Sequence, residues 1–146
     1  MHLVKQRESH DCGVAAVATY LELQYDQLGE IDSKQGLSSN NLLDIIKKNS
    51  DIKPVEIGWL SRLTDAILLV PSLNSPFGKH WVVWSANEQE LLDPLGNHKT
   101  MKSYQNTDWY TLPRYYKVIV DSSDRHIQEH LQDVVKRYTS FIKSLN

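Results

Sequence analysis

The chain has 146 residues, 40% of them hydrophobic, and a formal net charge of −2 from 16 basic and 18 acidic side chains. This composition predicts one folded domain over residues 1–146, because the apolar content is ordinary and the charges balance. It disfavours a nucleic-acid surface, which needs a basic surplus. The longest aliphatic run, 66–70, is far shorter than the roughly 20 residues of a membrane helix. Residues 1–6 lack the apolar core of a signal peptide, so we expect a soluble, cytoplasmic protein without a membrane span.

The first helix is predicted to begin at Cys12. Cys12 and Gly13 lead into a run, 14–21, that is rich in alanine and nearly apolar on all sides, which is typical of a buried helix. Asp11 directly precedes this run, where a short polar side chain can cap the free N–H groups of the first turn. We therefore expect the only cysteine of the chain to lie at a helix N-terminus.

A second helix is predicted to follow Ser38 and Ser39. Its aliphatic positions fit a period of 3.6 residues, and Lys47 and Lys48 come at its end, where the helix dipole favours cations. The segment 51–59 is ambiguous, since Pro54 argues against a regular helix there.

The second half of the chain is predicted to be mostly strands. Short apolar or β-branched runs are found at 66–70, 81–84, 90–93 and 115–120. The runs at 81–84 and 90–93 are close enough in sequence to form an antiparallel hairpin. Helices followed by several strands indicate an α+β domain.

The segment 123–145 is predicted to be an amphipathic helix. Its apolar residues recur with helical spacing on one stripe, and the opposite face is charged. The stripe consists of Ile127, Leu131, Val134, Val135, Tyr138, Phe141, Ile142 and Leu145. We expect this stripe to dock on the domain's own sheet, with binding of a partner helix as the alternative.

A single cysteine excludes an internal disulfide, and a lone cysteine is usually an inert, buried residue. A helix N-terminus, however, stabilises anions and lowers thiol pKa values in general. Gly13 beside the thiol leaves room for the backbone of a substrate. In the predicted hairpin, His80 and Asp93 lie at the same end, where the carboxylate can fix the tautomer of the imidazole. Cys12 facing such a His–Asp pair is one arrangement for nucleophilic acyl transfer. Without the thiol, His80 could be a capping or surface side chain, and Asp93 could simply begin a turn.

Three blocks of the sequence, spanning about residues 3–120, resemble the bacteriocin-processing cysteine peptidases that cleave double-glycine leader peptides. The blocks are Gln6 with Asp11-Cys12-Gly13-Val14-Ala15-Ala16, then Lys79-His80-Trp81-Val82-Val83, then Leu91-Leu92-Asp93-Pro94-Leu95-Gly96. The resemblance implies a papain-like fold, and a peptidase that needs no metal or cofactor. It also implies a leader peptide as substrate. Because no transporter segment follows the peptidase-like part, we expect a stand-alone domain, or one that works with a separate peptide exporter.

Carried over by position, the resemblance makes Cys12 the nucleophile, His80 the general base and acid, and Asp93 the residue that orients His80. Gln6 would donate an oxyanion-hole hydrogen bond together with the backbone N–H of Cys12, although it could also be an ordinary surface amide. Trp81 would contact the substrate. Because Trp81 and Trp84 point to opposite faces of a strand, we expect at least one of them to line a cleft or the surface.

Other functions stay open at this point. The same nucleophile could act as an amidase, an isopeptidase or a transamidase on another acyl substrate. The domain could also bind a peptide without cleaving it, although degenerate domains commonly lose the nucleophile or the base. His126 and His130 with Glu129 match an H-x-x-E-H zinc pattern, but they flank the apolar stripe of the last helix, and we expect a solvated helix face rather than a metal site.

Overall fold

The computed structural model describes residues 1–72, 78–99 and 117–145, with the backbone alone at 97–99. Within these ranges the chain forms three α-helices and one antiparallel sheet. The helices are α1 (Cys12–Leu21), α2 (Ser39–Asn49) and α3 (Arg125–Ser144), with a short 3-10 helix at Tyr25–Leu28. The strands are β1 (Pro54–Ile57), β2 (Ala66–Pro71), β3 (Lys79–Ser85), β4 (Glu90–Asp93), β5 (Asn97–Lys99) and β6 (Lys117–Asp121). The α+β prediction is thus confirmed.

The strand order is β1-β6-β2-β3-β4-β5, and every neighbouring pair is antiparallel. The predicted hairpin is confirmed, with Val83 opposite Leu92 and Trp84 opposite Leu91. The ambiguous segment around Pro54 is the edge strand β1, a position that tolerates proline because an edge strand has fewer ladder hydrogen bonds to donate. The first two residues of the strand predicted at 115–120 lie outside the described residues, and β6 continues to Asp121.

Apolar side chains are buried on both faces of the sheet. On one face, Ile67, Trp81 and Val83 pack with α1 and α2 in one core cluster. On the other face, Leu68 and Trp84 belong to a second cluster. The alternation of side chains along each strand explains this division. Trp81 and Trp84 point to opposite faces, as expected, and both are only 3% exposed, because both faces are covered.

The α1 helix begins at Cys12, as predicted, and its residues 13–20 are all buried. The α2 helix begins after Ser38, whose hydroxyl accepts a hydrogen bond from the backbone N–H of Asn41 and so caps the helix. These two helices cover the face of the sheet that carries Trp81. They therefore hold the thiol against the strand that carries His80.

The expectation that α3 docks on the domain's own sheet is wrong for most of the helix. Ile127 is fully buried in the second core cluster, and the ring of His130 lies 4.2 Å from that of Trp59. Every residue from 128 to 145 is nevertheless exposed, including the apolar ones. Periodicity identifies the apolar face of a helix, but it does not show what covers that face.

No helix among the described residues is both long enough and apolar enough to cross a membrane.

Candidate active site

Cys12 is the first residue of α1 and is half-buried. Because the first N–H groups of a helix have no partner within it, they point toward the region around this residue. The chain reverses sharply before the helix, between residues 6 and 11. The sulfur therefore lies beside free backbone donors and the positive end of the helix dipole.

His80 and Asp93 form a hydrogen-bonded pair at one end of the β3–β4 hairpin. Leu92 is opposite Val83 in this hairpin, and Asp93 directly follows Leu92 at the end of β4, near the start of β3 where His80 lies. The Nε2 atom of His80 lies 2.7 Å from Oδ1 of Asp93, and both side chains are buried. The sequence prediction that the two residues share one end of a hairpin is confirmed.

Cys12 is the second side chain that acts on the pKa of the His80 imidazole. Burial lowers the pKa of His80, but the hydrogen bonds to Asp93 and Cys12 and the negative charges of these groups outweigh it and raise the pKa to about 9. The structure therefore brings all three residues together and favours the charged imidazolium at neutral pH.

Asp93 is fixed by the turn that follows it. Its Oδ1 also accepts the backbone N–H of Leu95 at 2.8 Å, and its carbonyl accepts the N–H of Gly96 at 2.8 Å. Gly96 has φ +102°, and a Cβ there would lie 3.0 Å from the side chain of Lys5. The turn thus requires glycine and holds the carboxylate toward His80.

Gln6 is tied to the same turn. Its backbone N–H donates to the carbonyl of Pro94 at 2.8 Å, and its Nε2 donates to the carbonyl of Glu8 at 2.6 Å. Its Oε1 is buried and, among the described residues, has no partner. A glutamine amide carries two N–H donors, so the bond to Glu8 leaves one for another acceptor. The oxyanion role of Gln6 stays a prediction.

Asp11 is the N-cap residue of α1, but its side chain makes no capping hydrogen bond, which corrects the sequence prediction. Its carboxylate instead accepts the backbone N–H groups of Arg7 and Glu8, both at 3.0 Å, and the hydroxyl of Tyr25 at 2.7 Å. Burial raises the pKa of this carboxyl, but these hydrogen bonds outweigh it, and the pKa is lowered. A buried carboxylate therefore organises the reversal of the chain between Gln6 and Cys12. No spacing rule in the sequence indicated Tyr25, which comes from the 3-10 helix.

A groove of about 480 Å³ opens beside Cys12. Leu37, Leu69 and Trp81 give it apolar walls, and Lys79 and Lys117 also line it. The indole N–H of Trp81 donates to the carbonyl of Leu37 at 2.9 Å and so holds the segment that precedes α2 against the sheet. Leu37 is a residue that the sequence did not single out. The groove therefore combines apolar walls with two lysines beside Cys12.

Gly13 is buried, and a Cβ on it would lie 3.2 Å from atoms of Leu37 and of Leu42. In the free protein, this close approach between α1 and the start of α2 is what requires glycine. A contact between Gly13 and a substrate backbone stays a prediction, as does the contact of Trp81 with substrate.

His126 and His130 do not belong to a metal site in the part of the chain that the structure describes, where no cluster of three or more ligating side chains is found. They lie with Trp59 and Glu129 on a shallow surface at the start of α3.

Compared with known proteins, the sequence matches no protein-family model, and no curated protein matches it.

Proposed function

We propose that the protein is a cysteine peptidase with a papain-like arrangement of its site. The observation that carries the proposal is the position of His80, whose ring is hydrogen-bonded to Asp93 at 2.7 Å and lies near enough to Cys12 for that residue to raise its pKa. Nucleophile, base and orienting group are the three parts of a catalytic triad. The groove beside Cys12 supports a peptide as the substrate.

In the proposed reaction, the sulfur of Cys12 attacks the carbonyl carbon of the scissile peptide bond. Negative charge develops on the carbonyl oxygen, which receives hydrogen bonds from the N–H of Cys12 and from Gln6. His80, charged at neutral pH, gives its proton to the departing amine, and a thioester remains on Cys12. His80, now neutral, then takes a proton from the water that hydrolyses the thioester.

The proposed substrate is a leader peptide cleaved after small residues of the Gly-Gly type, which the sequence resemblance supports. A cytoplasmic location and a separate peptide exporter as partner belong to the same proposal. An amidase, an isopeptidase or a transamidase would use the same three residues, and product mass distinguishes them.

The test is digestion of a peptide library that includes leader sequences with Gly-Gly, Gly-Ala and Ala-Gly before a cargo segment. We expect two linear products whose masses sum to the peptide plus one water, and no products with Cys12→Ala. Products that carry an added amine in place of water would indicate transamidation. A wild type that binds the peptides without any turnover would contradict the proposal and favour a binding module.

A further inference from the structure

We propose that Asp11 is a positioning residue, which holds the side-chain amide of Gln6 through the backbone of Glu8. The inference rests on the proposed peptidase function, in which Gln6 donates a hydrogen bond to the oxyanion. Its basis is a chain of hydrogen bonds that begins at the buried carboxylate of Asp11 and ends at the amide of Gln6. Asp11 would thus affect the reaction without touching the substrate.

The backbone of Glu8 connects the two side chains. Its N–H donates to Oδ1 of Asp11 at 3.0 Å, and its carbonyl accepts a hydrogen bond from Nε2 of Gln6 at 2.6 Å. Neither bond uses the side chain of Glu8, which is exposed and pairs with His10 at 2.9 Å. The position of the acceptor for Gln6 therefore depends on Asp11.

The carboxylate of Asp11 is itself held in place. It is only 1% exposed, and its Oδ2 accepts the backbone N–H of Arg7 at 3.0 Å and the hydroxyl of Tyr25 at 2.7 Å. Because the two oxygens belong to one rigid group, they fix the N–H groups of two successive residues relative to each other. Tyr25 lies on the 3-10 helix, so this support comes from another part of the fold.

The amide of Gln6 depends on this support more than its position in the chain requires. Among the described residues, the carbonyl of Glu8 is the hydrogen-bond partner of its Nε2, and its buried Oε1 has none. A primary amide is planar and carries two N–H groups, so holding one of them restrains the direction of the other. An oxyanion donor contributes only when it is held in place before the reaction. Movement of Glu8 should therefore cost turnover through Gln6.

A double-mutant cycle between Asp11→Asn and Gln6→Ala tests this dependence. The asparagine keeps the size of the side chain, but whichever way its amide turns, an NH₂ group faces one of the two backbone N–H groups. We expect kcat of the best leader peptide to fall about tenfold with little change in KM, because the oxyanion forms only in the transition state. In the Gln6→Ala background the same substitution should change kcat less than about twofold.

The control and a milder variant use neighbouring side chains. Asp26→Asn removes an exposed carboxylate that pairs with the side chain of Arg7, and it should leave kcat unchanged. Tyr25→Phe removes one support of Asp11 but neither backbone hydrogen bond. It should lower kcat about two- to threefold, and again only when Gln6 is present. This variant carries the test if Asp11→Asn does not fold, which urea denaturation shows.

Two outcomes of these kinetic experiments would overturn the proposal. Equal losses of kcat with and without the side chain of Gln6 would show that Asp11 does not act through Gln6. Alkylation of Cys12 by iodoacetamide forms no oxyanion and should keep its rate in Asp11→Asn. A rate that falls by the same factor as kcat would show that Asp11 acts on the thiol instead.

Nuclear magnetic resonance of the side-chain amides tests the positioning without turnover. The NH₂ signals of Gln6 are identified by their loss in Gln6→Ala. We expect Asp11→Asn to shift them and to speed their exchange with solvent, whereas Asp26→Asn should do neither. Unchanged Gln6 signals in Asp11→Asn would overturn the proposal at any level of activity. Shifted signals in a protein that cleaves no peptide would support the positioning and contradict the peptidase function alone.

Discussion

The backbone N–H of Gln6 donates to the carbonyl of Pro94 at 2.8 Å and so links the segment before Cys12 to the turn after Asp93. Pro94 directly follows Asp93, whose carboxylate is 2.7 Å from His80. One hydrogen bond therefore links the region of the predicted oxyanion donor to the His–Asp pair. Because this bond uses backbone atoms, the side chain of Gln6 can be changed without removing it.

Gln6→Ala is expected to lower kcat by about 100- to 1,000-fold, which corresponds to the roughly 2.7–4 kcal/mol that one oxyanion donor contributes. The measurement is turnover of the best leader peptide from the library. Alkylation of Cys12 by iodoacetamide should keep its wild-type rate, because alkylation forms no oxyanion. The exposed Gln132→Ala is the control and should change neither rate. A Gln6→Ala protein with full turnover would exclude the oxyanion role.

Asp11→Ala is expected to lower the free energy of unfolding by about 2–4 kcal/mol, since it leaves two backbone N–H groups and the hydroxyl of Tyr25 without their acceptor. The milder control, Tyr25→Phe, removes one of the three hydrogen bonds and should cost about 1 kcal/mol. Urea denaturation at pH 7 measures both. If both variants lost the same small amount of unfolding free energy, the carboxylate of Asp11 would not organise the 6–11 segment.

The hydrogen bonds of Asp11 illustrate what the sequence could and could not predict. The start of α1 was predictable, because the apolar run begins directly after Cys12. The rule that an aspartate before a helix caps it considers only neighbours in sequence. Here the carboxylate is buried and finds Tyr25, whose approach depends on how the chain folds back after α1. The residue was identified correctly as a structural one, but its partners were not.

The His80–Asp93 pair and the groove also differed in how well the sequence predicted them. The position of Asp93 beside His80 follows from hairpin pairing over 13 residues, a local relationship that alternation and a turn signal reveal. The groove depends on Leu37 meeting Trp81, a contact between distant segments. The exposure of α3 was not predictable either, because an amphipathic pattern is the same whether the apolar face meets its own domain or another helix.

Gly13→Ala is expected to destabilise the fold by about 1–3 kcal/mol, because the added Cβ would lie 3.2 Å from Leu37 and Leu42 in a packed core. Gly58→Ala is the matched control, since a Cβ there meets nothing within 4 Å. Thermal unfolding of the two variants measures the difference. A Gly13→Ala protein as stable as Gly58→Ala would show that α1 and α2 can separate without cost.

The raised pKa of His80 predicts how stability depends on pH. A histidine whose pKa rises from 6.5 to about 9 on folding stabilises the folded state fully below pH 6.5 and not at all above pH 9. The advantage of the wild type over His80→Gln should therefore fall by roughly 3 kcal/mol as pH rises through this window. Urea denaturation of both proteins between pH 6 and pH 10 tests this. A difference that is independent of pH would show that folding does not raise the pKa of His80.

The most direct test of the account is the rate at which iodoacetamide alkylates Cys12, followed by intact mass from pH 5 to pH 10. The wild type is expected to react fast well below pH 8, because the account places the imidazolium of His80 beside the sulfur. His80→Ala should slow this reaction at low pH, and Asp93→Asn should lie between the two. A wild type that reacts only near pH 8.5, like a free thiol, and a rate unchanged in His80→Ala would contradict the central claim that His80 activates Cys12.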